Sequence, residues 1–373
     1  LGFVMKLIKF LVAGAMLSGL MLVAAVLAYL RYIEKPLPIS SPFVYELKSG
    51  VSSNRVIQDF HQLGIIQYEE IAKVYLRHKN LGASLKAGEF EIEPGLSLAG
   101  LFTLLSSNNQ VRYKISLIEG STFREARAVL AADKRLKHVT DDLSDKQVLA
   151  KLQADIGGSQ KSAEASSNKA SLNGQVPEKT QLLFSHPEGS IYPDTYFFHR
   201  GETDLSILRR AHDRLKAVLM DEWAKRKPKL PLANAYEALI LASIVEKETG
   251  KPSEREEIAG VFIRRLNKKM RLQTDPTVIY GLGDRYKGNI TRKHLRELTP
   301  YNTYRINGLP PTPIALAGRD AIFAALNPKP GKSLYFVAKG DGSHAFSETI
   351  EQHNKAVRQY QLRRRSDYRS TVE

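Results

Sequence analysis

At 373 residues, 43% hydrophobic and 25% charged, the chain is long enough for two or three domains with ordinary globular cores. It has no cysteine, which excludes disulfides, thiolate metal sites and a cysteine nucleophile. The formal charge of +16 suits nucleic acid, anionic lipid headgroups or an acidic envelope polymer. No arginine-rich recognition helix or basic stretch with interleaved aromatics appears, so nucleic acid is disfavoured.

From the N-terminus, with Leu1 or Met5 as the start, the first element is the uncharged run Phe10–Leu30, enough helix to cross a bilayer core of roughly 30 Å. Lys6 and Lys9 precede it, so the positive-inside rule predicts residues 1–9 in the cytoplasm and everything after Tyr32 outside. A cleaved signal peptide is the competing reading. The run is too long for a typical h-region and no small-residue cleavage site follows, which favours a retained anchor. Residues 31–42 read as a proline-bearing spacer.

Alternation predicts a strand over Phe43–Lys48, and Ser52 or Ser53 caps a helix through Leu63. A helix over Tyr68–Lys79, a strand over Gly88–Glu93, a helix over Ser97–Ser106 and a strand over Val111–Ile118 complete a small α+β module. The module carries no catalytic cluster and reads as a binding or spacer unit. A helix through Ala132 follows Glu119–Thr122, and Ala154–Thr180 reads as a disordered insertion. The aromatic, turn-like Glu188–Tyr196 comes next, with Tyr192 and Tyr196 read as core aromatics ahead of lining a substrate cleft. Helices are predicted at Leu205–Lys227, Ala233–Thr249 and Glu254–Lys268. Short loops, a hairpin around Lys339–Gly342 and a terminal helix fill Leu272–Val357; the basic end Arg363–Arg365 reads as solvated.

The densest chemistry lies in Leu239–Tyr280. Glu248 extends the stripe Leu241, Ile244, Val245 at i, i+3, i+4, i+7, which predicts a carboxyl group on the buried face of a helix. Glu246 points elsewhere, and Gly250 stands where a C-cap glycine belongs. The helix C-terminus and partial burial both disfavour an anion, so both push a carboxyl pKa upward. A carboxylic acid protonated near neutral pH is what glycoside cleavage requires of its general acid. Two solvated glutamates in a fraying last turn fit the same spacing.

The strings Ala-Ser-Ile-Val-Glu-Lys-Glu-Thr (242–249), Arg-Leu-Gln-Thr-Asp-Pro-Thr-Val-Ile-Tyr-Gly (271–281), Tyr-Asn-Thr-Tyr (301–304), Gly-Leu-Pro-Pro (308–311) and Leu-Tyr-Phe-Val-Ala (334–338) follow in order. His344-Ala345-Phe346 and His353-Asn354 come after them. Over roughly residues 188–360 this arrangement closely resembles the endolytic murein transglycosylases, the YceG-like family. The resemblance implies an α+β protein with one N-terminal transmembrane helix, a LysM-like module over 43–118 and a mixed α+β catalytic domain over 119–373. It also implies cleavage of nascent peptidoglycan strands at the outer face of the cytoplasmic membrane, without a cofactor. The family's essential glutamate is the second of Glu-Lys-Glu, hence Glu248 here. The expanded 154–180 segment departs from the family pattern.

Other residues are candidates for holding substrate. Gln273, Thr274 and Asp275 form a polar loop before Pro276, although Asp275 also suits an Asx-type turn capping the next helix. Tyr301, Asn302 and Tyr304 offer a flat face and amide groups for a pyranose ring, or loop packing. His344 follows a turn on the expected hairpin, and Glu246 is the alternative acid. No metal-ligand spacing appears. The partners expected are glycan strands, membrane lipid and peptidoglycan synthases. A hydrolytic muramidase using Asp275 as second carboxylate, or a glycan-binding scaffold with a dead site, are the rival readings.

Overall fold

The computed structural model describes residues 2–154 and 184–362; the expected insertion, apart from Ala154, and the Arg363–Arg365 end lie outside the described residues. The chain divides into two compact units, one reaching Tyr113 and including Phe197–Gly201, the other formed by Lys114–Tyr196 and the chain from Glu202 on.

The first unit begins with helix α1 (Gly2–Glu34), which runs past both ends of the uncharged stretch. Its apolar side chains, Leu17, Leu20 and Leu22 among them, are exposed, as a bilayer-facing surface requires. Strand β1 (Phe43–Leu47), helices α2 (Ser53–Gln62) and α3 (Glu69–His78), strand β2 (Gly88–Ile92) and helix α4 (Leu98–Ser106) follow. β1 and β2 are antiparallel, in register from Phe43↔Ile92 to Leu47↔Gly88. Ser52 caps α2 through Arg55 N and Ser97 caps α4 through Gly100 N. Phe60, Phe90, Leu98, Leu101, Phe102 and Leu105 are fully buried. Residues 31–42 do not form a free spacer. Ile33, Leu37 and Ile39 belong to the same core, and Leu37 N donates to Leu96 O at 2.8 Å.

The chain passes from one unit to the other inside β3 (Tyr113–Ser116), shorter than the strand expected. Helices α5 (Phe123–Ala132) and α6 (Asp145–Ala154) precede strand β4 (Thr195–Phe198). Then come α7 (Asp204–Ala224), α8 (Ala235–Glu248), α9 (Arg255–Asn267), α10 (Asp275–Leu282), α11 (Arg292–Arg296) and α12 (Arg319–Leu326). The hairpin β5 (Tyr335–Ala338) and β6 (His344–Ser347), paired antiparallel, leads to α13 (Ile350–Val357). Helix α8 is the axis of this unit. Every residue from Ala238 to Val245 is buried, and it packs against α7, α9, α10 and α12. An all-round apolar helix is what central burial demands.

α8 does not end through a left-handed glycine. Its C-cap is Thr249 in extended conformation (φ −147°, ψ 133°), Thr249 Oγ1 accepts from Lys251 N at 3.0 Å, and Gly250 keeps a negative φ. Asn234 caps the other end through Glu237 N. The sequence reading missed α6, named α10 only as an unbounded helix after Asp275, and missed α11 and α12. The last three are eight residues or fewer, too short to show a 3.6-residue period above noise.

Candidate active site

Glu248 is the last residue of α8, where the buried helix emerges between two clefts. One, of about 600 Å³, is walled by the loop Leu272–Asp275, Arg265 of α9, Tyr304, the β5–β6 hairpin and His353 and Asn354 of α13. The other, of about 660 Å³, is walled by Leu117–Ser121, one face of α5 and the end of α8. Among the described residues Glu248 is the one that lines both.

Thr274 Oγ1 donates to Glu248 Oε1. Thr274 is 2% exposed, and its backbone N–H donates to Thr303 Oγ1 at 3.0 Å. Thr277 Oγ1 lies 2.8 Å from Thr303 Oγ1, so buried hydroxyls lock the N-terminus of α10 beside the carboxyl group. The residue before this cap, Gln273, is left-handed at φ 53°, a conformation costly for a residue with a Cβ. It is held there by Gln273 N donating to Thr303 O and by Arg265 Nη1 donating to Gln273 Oε1 at 3.3 Å.

Burial pushes the Glu248 carboxyl up to about 7, the negative charge of Asp275 adds to the rise, and Thr274 and Arg265 oppose it. This acid is therefore substantially protonated near neutral pH. Asp275 Oδ1 accepts from Tyr304 Oη at 2.7 Å while Asp275 itself stays exposed to the cleft. Its carboxylate bonds to Tyr304 and does not form the Asx-type turn. Burial, then Asp275, holds the Tyr304 phenol above its ordinary range, so it remains a neutral donor.

Arg265 escaped the sequence reading because one of two adjacent arginines, Arg264-Arg265, near the end of an amphipathic helix looks solvated. It is 7% exposed, and its guanidinium donates to Leu334 O at 2.6 Å and Leu272 O at 2.7 Å. It also lies over the Tyr335 ring at 5.1 Å. A buried cation held by carbonyls keeps its charge beside Glu248. His353, stacked on Tyr335 at 5.3 Å, was likewise not assigned a role.

The remaining candidates divide. Glu246 is nearly buried; Glu246 Oε2 accepts from Gly318 N at 3.0 Å and Oε1 pairs with Arg255 at 3.5 Å, so it braces α8. His344 lines the first cleft, but its Nδ1 lies 2.7 Å from Glu254 Oε2. Asn302 is 1% exposed, and its Nδ2 donates to the carbonyls of His294, Leu295 and Glu297 while Oδ1 accepts from Tyr304 N. Tyr301 packs edge-on against Tyr280 and bonds Thr312 Oγ1 at 2.8 Å. Neither Asn302 nor Tyr301 lines either of these two clefts: they build the loop that presents Tyr304.

Glu188, which no spacing marked, is 4% exposed. Its Oε1 accepts from Phe123 N at 2.9 Å and Gly189 N at 3.2 Å, and Tyr280 hydrogen-bonds to it. Burial raises this carboxyl to about 7 as well. Gly189 is obligatory beside it: φ is +71° and a Cβ would meet Pro313 Cβ at 2.5 Å. Among the described residues one group, His138, Asp141 and Asp204, brings metal-type ligand atoms within 4.8 Å. Asp204 already accepts from Val139 N, Thr140 N, Thr140 Oγ1 and Leu205 N, so it caps a turn.

The YceG-like family model matches residues 45–359. The chain is 32% identical over 322 residues to an endolytic murein transglycosylase of Bacillus subtilis, covering 84% of this chain and 83% of that one. It is 27% identical over 370 residues to the endolytic murein transglycosylase of Streptococcus pneumoniae, covering 95% of this chain but 64% of that relative. A solved yceG-like protein from Listeria monocytogenes superimposes with a TM-score of 0.50 at 30% identity, over 84% of this chain and 99% of its own. The chain belongs to the YceG-like family.

Proposed function

We propose that this chain is a membrane-anchored lytic transglycosylase that cuts peptidoglycan strands internally at the β-1,4 bond between N-acetylmuramic acid and N-acetylglucosamine. The observation that carries the reading is Glu248, a carboxyl group held near pH 7 at the meeting of two clefts. Protonated Glu248 gives its proton to the glycosidic oxygen as the C1–O bond breaks. The muramic ring gains oxocarbenium character, and the new carboxylate is held by Thr274 Oγ1 and the nearby Arg265 charge. That carboxylate then takes the proton of the sugar's own C6 hydroxyl while O6 bonds to C1. A 1,6-anhydro ring forms, no water is consumed, and Glu248 ends protonated. An internal nucleophile replaces a bound water efficiently, because effective molarities of oriented groups reach ~10⁵–10⁸ M.

The family resemblance, the C-terminal position of Glu248 on α8 and the apolar α1 support further parts of the reading. The N-terminus lies in the cytoplasm, the clefts face the wall, and the cut ends a nascent strand beside the synthases that extend it. The β1-α2-α3-β2 order with its antiparallel pair supports a LysM-like, glycan-binding role for the first unit.

A second reading rests on Asp275, a carboxylate exposed in the same cleft: it would orient water and make the enzyme a hydrolytic muramidase. Mass spectrometry of products from un-crosslinked strands separates the two. Anhydro-muramic ends support the lytic reaction, and reducing ends the hydrolytic one. Glu248→Gln is expected to lower the rate about 10²–10⁴-fold with folding intact; a mutant at wild-type rate overturns the assignment of the acid.

A further inference from the structure

An acid that cuts inside a strand needs polymer bound on both sides of the scissile bond, and among the described residues Glu248 is the only one shared by the two clefts. Resting on the lytic reading above, the geometry points to the cleft between Leu117–Ser121 and α5 as the site for the leaving-group side of the strand. There the released N-acetylglucosamine and the sugar beyond it would lie against an apolar wall.

Three observations assign the direction. The positive charge of the oxocarbenium ion develops on the muramic ring, and the cleft with Asp275, the neutral Tyr304 phenol and the Tyr335 face suits that ring. Among the described residues no aromatic ring lines the opposite cleft, and its other carboxylates are engaged: Glu125 in the capping box of α5, Glu246 with Gly318 N and Arg255, and Glu119 facing Arg255 at 4.0 Å. The wall of that cleft carries Ile118 at 69% exposure and Val129 at 41%, large apolar side chains that folding of this unit leaves uncovered. Such a surface accepts acetamido and lactyl methyl groups, whereas ring hydroxyls stay toward solvent.

The wall is also built to keep its shape. Gly120 N donates to Leu316 O at 2.8 Å, Leu316 N donates to Ser121 O at 2.7 Å, and Lys247 Nζ donates to Gly120 O at 3.0 Å. The Leu117–Ser121 segment is thereby tied both to the extended 314–318 loop and to α8 one residue before the acid. Thr122 and Glu125 form a capping box that fixes the first turn of α5 opposite.

The test uses the full chain in detergent and peptidoglycan oligosaccharides of defined length, labelled at either the reducing or the non-reducing end. The double variant Ile118→Asp with Val129→Asp changes only exposed positions. It is expected to raise KM about tenfold or more, leave kcat within about threefold, and increase the number of sugars required on the reducing-end side of the cut. Tyr335→Ala serves as the counter-variant and is expected to shift the requirement at the non-reducing end. Wild-type kinetics and cutting pattern in the double variant would overturn the inference. So would a shift confined to the non-reducing side, which would reverse the polarity. A wild-type chain that cleaves no strand would instead remove the lytic reading on which the inference rests.

Discussion

At the scale of single residues, the chemistry depends on one hydroxyl as much as on one carboxyl. Thr274 is positioned as the N-cap of α10, yet its side chain makes no capping bond and donates to Glu248 instead. That bond favours the ionised acid and so opposes the rise caused by burial. Replacing Thr274 by Val, nearly the same in volume, removes the opposition. Glu248 then titrates above its present value of about 7, and the alkaline limb of kcat/KM against pH moves to higher pH. An unmoved limb in a folded Thr274→Val protein would detach Thr274 from the acid. Lowered activity without a moved limb would mean the hydroxyl serves only to place the loop.

At the scale of elements, Glu188 links pieces distant in sequence: the first N–H of α5, the Gly189 turn and Tyr280 of α10. Its folded-state pKa of about 7 lies above the ordinary 4.5. The unfolded chain therefore gives up this proton first, so the contribution of Glu188 to stability is greatest below pH 4.5 and falls as pH rises towards 7. The loss is about 3 kcal/mol at 1.36 kcal/mol per pH unit. Glu188→Gln keeps an acceptor for both backbone N–H groups and carries no charge. It is expected to raise Tm at pH 8 while leaving Tm at pH 4 nearly unchanged; equal effects at both pH values would show that its role is not the buried proton. Such links explain what the sequence disclosed and what it withheld. Glu248 was legible because a carboxyl group ending an apolar helix is a local anomaly, although the stripe argument was weaker than it looked, since α8 is buried all round. Gln273, Thr274, Asp275 and Tyr304 were legible as polar residues in one run of motifs. Asn302 was read as facing substrate and Glu246 as the alternative acid, because a polar side chain spent on distant backbone looks the same in sequence as one kept free. Arg265 and Glu188 were invisible for the converse reason: their partners lie far away along the chain, and nothing nearby marks them as buried.

At the scale of the whole molecule, the way the end of α1 joins the core of the first unit has consequences for handling the protein. The end of the helix is not a tether, because Ile33, Leu37 and Ile39 fill the core shared by α2, α4 and β2. Fully burying a side chain of this size is worth roughly 1.5–3 kcal/mol. Losing all three would cost about 5–9 kcal/mol, comparable to the ~5–15 kcal/mol that holds a typical domain together. A truncation that begins at Arg31 removes the exposed apolar surface and keeps the three core residues. It is expected to give a soluble chain whose first unit stays folded. A truncation that begins at Pro42 removes all three and is expected to leave the first unit open to protease, with cleavage between β1 and α4, while the core around α8 keeps its resistance. Limited proteolysis of the two constructions side by side decides the matter: equal resistance of the first unit in both would mean that residues 31–42 contribute nothing to its core.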